Sequence, residues 1–144
     1  MIVIPRNPKE WQAATVFLGY HSHVAPSADM KIIGWTEEDH LKLVVGFNGF
    51  IGRVCQIHVA MASGYHFTPR KMLEATFDYA FNQLGREKII GVVNSRNARA
   101  LRYDLHLGFV EEHRMPGVHD DGGDLIILGM TRSQCRYLTK QEAA

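Results

Sequence analysis

Apolar residues recur along the chain with two different spacings, and each spacing predicts a different kind of element. Spacings of three and four residues predict amphipathic helices over residues 8–24, 68–84 and 97–107. Each segment begins at or just after a residue that can cap a helix, and the last two end directly before a glycine. The chain is therefore expected to contain three helices separated by other elements.

Shorter apolar runs predict strands over residues 31–35, 41–47, 50–61, 88–93, 109–110 and 125–128. The first three are expected to form an antiparallel meander with a hairpin turn at Asn48-Gly49, because this dipeptide accepts the positive φ angles of a type I′ turn. The later strands alternate with the remaining helices and close in a hairpin over residues 117–123. The predicted fold class is α/β, with a mixed sheet made of an antiparallel meander, a β-α-β-α unit and a closing β-hairpin.

Composition limits the classes of protein that the chain can belong to. Its 144 residues, 46% apolar and 22% charged, are expected to fold as one domain over residues 1–144, with a flexible tail at 139–144. A formal net charge of +1 provides no broad basic face, which argues against nucleic acid as a partner. With two cysteines, no signal-peptide pattern and no long apolar run, the sequence predicts a cytoplasmic protein without a membrane partner.

Several motifs that would identify a function are missing from the sequence. It has no phosphate-binding Walker lysine motif, no zinc-type cysteine spacing and no dinucleotide-binding glycine triplet, so NTPase, zinc-site and Rossmann interpretations lose support. The pair His21 and His23, and the segment from His119 to Asp124, lack a full set of metal ligands. No metal site is predicted.

One segment carries a resemblance to a known family. After the strand that ends near Val93, the sequence has Asn97, two residues, Ala100, and then a helix that closes on Gly108-Phe109. This segment resembles the GCN5-related N-acetyltransferase (GNAT) superfamily, and more narrowly its ribosomal-protein-type branch, whose element order the chain follows over residues 31–138. The resemblance implies a GNAT-like acyl-CoA N-acyltransferase fold with acetyl-CoA as co-substrate. Taken alone, the segment also fits an ordinary amphipathic helix with an asparagine cap and a glycine stop.

The resemblance implies a binding site for the cofactor's pyrophosphate at the helix start formed by Thr68 and Arg70. Free backbone amides and the helix dipole favour an anion there. In the preceding loop, Gly64 matches the family's first glycine, whereas Met61 replaces a glutamine or arginine and His66 replaces a second small residue. His66 could crowd the phosphate, donate a hydrogen bond to it, or be an incidental surface residue.

The resemblance also assigns the pantetheine arm to the following strand and helix. Asn97 would hydrogen-bond the arm, and the small Ala100 would let it lie against the helix. Backbone N–H groups near Val59 and Ala60 would stabilise the oxyanion of the reacting carbonyl. The predicted cofactor-binding residues are Val59, Ala60, Met61, His66, Phe67, Thr68, Arg70, Asn97 and Ala100.

Catalysis requires a base, because only a neutral amine can attack the thioester. Alternation places Gln56, His58 and Ala60 on one strand face, where His58 would lie beside the acetyl group and is the predicted catalytic residue. A hydrogen-bonded core histidine and a water chain are the alternatives. Asp104 takes the position of the tyrosine that protonates the leaving thiolate in many family members, and Tyr103 is expected to pack inward, so no general acid is assigned.

These features predict an acetyl-CoA-dependent N-acetyltransferase that moves the acetyl group directly to a primary amine. The acceptor would be a small molecule or a peptide. Two alternatives remain open at this point. One is a non-catalytic binding module with the same fold, and the other is a self-associating structural protein, in which a homodimer would form through the final hairpin.

Overall fold

Seven strands form one mixed sheet in the computed structural model, which describes residues 1–138. The sheet order is β1-β2-β3-β4-β5-β7-β6. The strands are β1 (Ile2–Val3), β2 (Lys31–Glu37), β3 (His40–Ile51), β4 (Val54–Met61), β5 (Lys88–Asn94), β6 (Val110–Met115) and β7 (Leu125–Thr131). The α/β class, the meander and the closing hairpin are as predicted, whereas the predicted tail at 139–144 lies outside the described residues.

Three α-helices flank the sheet: α1 (Pro8–Ser22), α2 (Arg70–Asp78) and α3 (Ala98–Leu107). A wider π-helical turn, Tyr79–Gln83, extends α2, and a short 3-10 turn, Arg132–Gln134, follows β7. None of the helices within residues 1–138 combines the length and the apolar character needed to cross a membrane.

Local capping explains where two of the helices begin. The Asn7 side chain accepts a hydrogen bond from the Glu10 amide at 2.9 Å, and the Asn97 side chain accepts one from the Ala100 amide at 3.2 Å. Helix α3 ends at Gly108, whose φ of 111° is a conformation that glycine adopts without strain. Both caps follow the signals in the sequence.

The predicted hairpin turn at Asn48-Gly49 is wrong. Strand β3 runs through this dipeptide to Ile51, and the turn lies at Gly52-Arg53, since Ile51 pairs with Val54. The register with β4 shifts between Asn48 and Ile51, so the positive φ of Gly49, 62°, serves a β-bulge instead of a turn. Asn48, the last residue in regular register before the bulge, lies opposite Gln56 of β4.

The sheet separates two hydrophobic clusters, one on each face. Helix α1 covers the smaller cluster, which includes Leu18, Val44 and Ala60, and helices α2 and α3 cover the larger one, which includes Cys55 and Phe77. Cys55 and Ala60 therefore lie on opposite faces of β4, as their alternation in the sequence predicts.

Strands β4 and β5 part in the middle of the sheet. They pair in parallel only over three positions, from Val54 opposite Lys88 to Gln56 opposite Ile90. Beyond this point β4 continues along β3, and β5 continues along β7 as far as Asn94. Because each strand keeps its outer partner while losing the inner one, the sheet opens into two diverging arms.

Candidate active site

A cleft of about 570 Å³ lies between the diverging halves of β4 and β5. Six of the predicted site residues line it: His58, Val59, Met61, His66, Asn97 and Ala100. The other four, Ala60, Phe67, Thr68 and Arg70, do not line it. Within residues 1–138, no three His, Cys, Asp or Glu side chains gather in a way that could hold a metal ion.

His58 lies half-buried on the α1 side of the cleft. Its Nε2 atom is 2.7 Å from Oδ1 of Asn48 in the β3 bulge. Burial lowers the pKa of the His58 imidazole below its usual value, so the ring is neutral at pH 7. His21 and Ser22, from the end of α1, line the same side of the cleft. The structure thus gives His58 a hydrogen-bond partner and leaves it facing the cleft.

The edge of β4 that faces the cleft carries backbone groups without a strand partner. Within the described chain, no strand pairs with this edge beyond Gln56. Since successive residues of a strand direct their N–H groups to alternate sides, some of the N–H groups at residues 57–61 point into the cleft. The Ala60 side chain is buried under α1, so only the backbone of this residue could contact a ligand in the cleft.

The loop between β4 and α2 also presents free backbone donors. Among residues 1–138, the N–H groups of Gly64, His66, Arg70 and Lys71 have no hydrogen-bond acceptor. Gly64 has a φ of 78° and open space on the side where a Cβ atom would lie. Such a loop before a helix N-terminus can bind an anion through its amides.

The hydroxyl groups of Thr68 and Tyr103 are hydrogen-bonded to each other. The Thr68 Oγ1 atom is 2.7 Å from the Tyr103 hydroxyl oxygen, and no side chain caps α2, which begins two residues later at Arg70. The sequence-based expectation that Thr68 caps this helix is therefore wrong, because its hydroxyl bonds to α3 instead. Tyr103 packs against the larger core cluster, as predicted.

Two arginines, Arg99 of α3 and Arg70 of α2, lie near the loop between β4 and α2. His66 Nδ1 contacts the guanidinium of Arg99, a residue of α3 that also lines the cleft. Arg70 forms an ion pair with Glu74 one turn further along α2, at 3.2 Å. Sequence reasoning missed Arg99, although a cation two residues after the cap of α3 is a recognisable signal for anion binding.

Helix α3 forms the wall of the cleft opposite α1. The Asn97 side-chain oxygen is used by the cap, which leaves its Nδ2 group free to donate. Asp104, two turns further along, lines the cleft without a cation nearby, and burial raises the pKa of its carboxyl to about 6. This wall thus offers a hydrogen-bond donor at the start of α3 and, two turns away, a carboxyl group whose raised pKa keeps it protonated to a higher pH than usual.

Comparisons with known proteins give fold-level matches. No protein-family model matches the sequence, and no curated protein matches it. Among solved structures, a chimera of the spermidine N-acetyltransferase SpeG from Vibrio cholerae with hSSAT has a TM-score of 0.75 at 14% identity, covering 95% of this chain and 98% of that one. Spermidine N-acetyltransferase from Vibrio cholerae in complex with CoA and spermine has a TM-score of 0.70 at 14% identity, covering 92% of this chain and 96% of that one. The diverging strands, the loop before α2 and these two likenesses together show that the chain has the fold of the GCN5-related N-acetyltransferases.

Proposed function

We propose that this protein is an acetyl-CoA-dependent N-acetyltransferase that transfers the acetyl group directly to a primary amine. The observation that carries the proposal is the parting of β4 and β5, which opens a cleft of about 570 Å³ where a slender thioester arm could lie. The loop that lines one end of this cleft leads to a helix start with free amides, which suit the pyrophosphate of the same cofactor. Both features serve one ligand that has an anionic end and a long neutral arm.

Donor and acceptor react without a covalent enzyme intermediate in this proposal. The neutral amine attacks the thioester carbonyl, the C–N bond forms, and the carbonyl oxygen gains negative charge that an N–H group of residues 57–61 stabilises. His58 accepts the proton that the attacking nitrogen loses. The C–S bond then breaks, and CoA leaves as a thiolate.

Asp104 is the group that we propose to return a proton to this thiolate. Its carboxyl lines the cleft on the α3 wall, where the resemblance places the thioester sulfur, whereas the neighbouring Tyr103 hydroxyl is hydrogen-bonded to Thr68. A carboxyl with a pKa of about 6 keeps a protonated fraction near neutral pH. The aspartate thus replaces a tyrosine without leaving the site devoid of an acid.

The acceptor is proposed to be a small-molecule or peptide amine. A structural neighbour binds CoA and spermine, which makes a polyamine one reasonable member of the class to test. The ribosomal-protein-type branch, the homodimer and the cytoplasmic location stay predictions. Two free, buried cysteines, Cys55 and Cys135, are consistent with a reducing compartment.

An acceptor screen with detection of the released CoA thiol tests the proposal. Peptides, polyamines and small amines are each incubated with acetyl-CoA and the protein, and thiol release above the no-acceptor rate is expected for at least one class. Calorimetric titration with acetyl-CoA separates an enzyme from the alternatives. Absence of binding at high micromolar acetyl-CoA would contradict the proposal and favour a binding module or a structural protein.

A further inference from the structure

We propose that Asn48, Ser27 and Asp29 form a chain of hydrogen bonds that positions the His58 ring with its Nδ1 atom free to accept the substrate proton. The inference rests on the proposed function only for the identity of that proton. The chain itself is a structural claim about one tautomer of one histidine, and it can be tested without any turnover.

The chain of hydrogen bonds connects two neighbouring strands and the loop before β2. His58 Nε2 lies 2.7 Å from Asn48 Oδ1, Asn48 Nδ2 donates to Ser27 Oγ at 3.0 Å, and Ser27 Oγ donates to Asp29 Oδ1 at 2.6 Å. His58 is on β4, Asn48 is in the bulge of β3, and the last two residues lie in the loop before β2. All three distances are within the range of well-formed hydrogen bonds.

The direction of each hydrogen bond follows from the one before it, starting at Asp29. Its ionised carboxylate can only accept, so the Ser27 hydroxyl must donate its hydrogen there. The Ser27 oxygen then accepts from the Asn48 amide nitrogen, which turns the Asn48 carbonyl oxygen toward His58. Because that oxygen can only accept, the hydrogen of the neutral imidazole must be on Nε2.

Asp29 is held in its ionised state. The hydrogen bond from Ser27 is the main cause that lowers the pKa of the Asp29 carboxyl, and the backbone amides of Gly49 and Phe50 lower it further. These amides belong to the same β3 bulge that presents Asn48. The segment of β3 that follows Asn48 therefore also holds the acceptor at the far end of the chain.

With Nε2 occupied, Nδ1 is the nitrogen that can take a proton. The hydrogen bonds within residues 1–138 give Nδ1 no protein partner, and His58 lines the cleft. After proton uptake at Nδ1, the Nε2–H bond to Asn48 is kept, so the ring does not have to rotate during the transfer. Asn48 is thus a positioning residue, as the orienting asparagine is in Cys-His-Asn sites.

Other titratable groups face the same cleft and must be considered in any pH-dependent test. Helix α1 contributes His21, the loop before α2 contributes Tyr65 and His66, and α3 contributes Arg99, Tyr103 and Asp104. A pH effect is therefore assigned to His58 only if it changes with the Asn48 variants and disappears in His58→Gln.

The first test is the tautomer of His58, read from the ring ¹⁵N shifts in two-bond ¹H–¹⁵N correlation spectra above its pKa. We expect the Nε2–H form in the wild type and a mixture of both tautomers in Asn48→Leu and in Ser27→Ala. Ser27→Ala changes only a loop residue and so keeps the test valid if Asn48→Leu folds poorly. Gln56→Leu is the matched control, because Gln56 lies opposite Asn48 in the ladder but outside the chain. An Nδ1–H tautomer in the wild type, or an unchanged spectrum in both variants, would overturn the proposal.

The second test is the pH dependence of kcat/KM. In Asn48→Asp a carboxylate would face Nε2–H, so the acid limb is expected to move up by about one pH unit. Asn48→Leu is expected to lower kcat about tenfold with no change in KM for acetyl-CoA, because it disturbs only orientation. If amines are acetylated but both profiles match the wild type, the positioning role is refuted while the enzyme function stands. If no amine is acetylated, the function fails and the tautomer spectra still decide the chain.

Discussion

Burial favours the uncharged forms of both His58 and Asp104, and this has opposite consequences for proton transfer. A neutral imidazole can accept a proton, whereas a neutral carboxyl can donate one. The pKa of His58 is lowered and that of Asp104 is raised to about 6, so the two side chains approach the same range from opposite directions. Two walls of one cleft therefore carry a base and an acid that are both usable near neutral pH.

Replacement of His58 by Gln is expected to remove the acid limb of the pH profile. In the wild type, kcat/KM should fall as pH drops through a value below 6.5, because burial lowers the pKa of this imidazole. His58→Gln should lower kcat about a hundredfold and abolish the part of the fall that is due to the imidazole. Turnover measured from pH 5 to 9 checks this, and an unchanged profile would remove His58 from the mechanism.

Replacement of Asp104 by Asn is expected to stabilise the folded protein and to lower its kcat. In the folded state the pKa is raised to about 6 from a usual value of 3.8, so ionisation of this group opposes folding increasingly between about pH 4 and pH 6 and fully above that. At pH 7 the variant should gain about 1–2 kcal/mol in the free energy of unfolding, after allowance for partial solvent exposure. Near pH 4 the gain should vanish.

Denaturant unfolding at the two pH values measures this difference directly. Asp120→Asn, at an exposed position in the loop between β6 and β7, serves as a control for the loss of one negative charge. Equal stability of Asp104→Asn and wild type at both pH values would mean that the Asp104 carboxyl is not buried as described. A fully retained kcat would remove it as the proton donor.

At the scale of single elements, helices α1 and α3 both begin with an asparagine N-cap, but the surroundings of the two caps differ. Asn7 and Asn97 both cap a helix with a side-chain oxygen, yet only Asn97 lines the cleft. Asn7 therefore has only a structural role, whereas Asn97 is proposed to have both a structural and a ligand-binding role. This pair allows the two contributions to be separated by experiment.

We expect Asn7→Ala and Asn97→Ala to cost a similar amount of stability, about 1 kcal/mol each, because each loses one cap. Only Asn97→Ala should also weaken acetyl-CoA binding, since it removes the free Nδ2 donor. Thermal unfolding and calorimetric titration measure the two effects. If acetyl-CoA affinity were lost equally in both variants, or in neither, the proposed contact between Asn97 and the cofactor would be wrong.

The comparison of sequence with structure shows which elements depend on local signals. The caps of α1 and α3 and the end of α3 were predictable because the two asparagines and Gly108 lie in or next to the helices' own sequence, whereas α1, predicted to reach residue 24, ends at Ser22. The turn assigned to Asn48-Gly49 was not, because strand register decides between a turn and a bulge, and register depends on how β3 meets β4. The hydrogen bonds that link His58 through Asn48 to Ser27 escaped prediction for the same reason, since Asn48 and Ser27 are 21 residues apart.

At the scale of the whole molecule, the sheet consists of two halves with a narrow connection. Strands β1 to β4 form one half and β5 to β7 the other, joined by a ladder of only three paired positions. The large core cluster holds residues from both halves, including Phe47 and Leu128. Cohesion between the halves therefore depends more on side-chain packing than on backbone hydrogen bonds.

A ligand in the cleft is expected to add to that connection. Binding of acetyl-CoA should slow amide hydrogen exchange at residues 57–61, whose free edge it would cover, and have little effect on residues 32–36 of β2. Exchange followed by mass spectrometry with and without acetyl-CoA measures this. Protection spread evenly over both regions would indicate general stabilisation instead of occupancy of the cleft.

The cleft has walls on both faces of the sheet, since α1 and α3 pack against opposite core clusters and both line it. The cleft therefore reaches both faces of the sheet. In the proposed function, donor and acceptor would approach from opposite faces and bind at the same time, so that neither would have to leave for the other to enter. Steady-state rates at several fixed acceptor concentrations should accordingly give intersecting reciprocal plots, the pattern of a ternary complex, and parallel lines should not be seen.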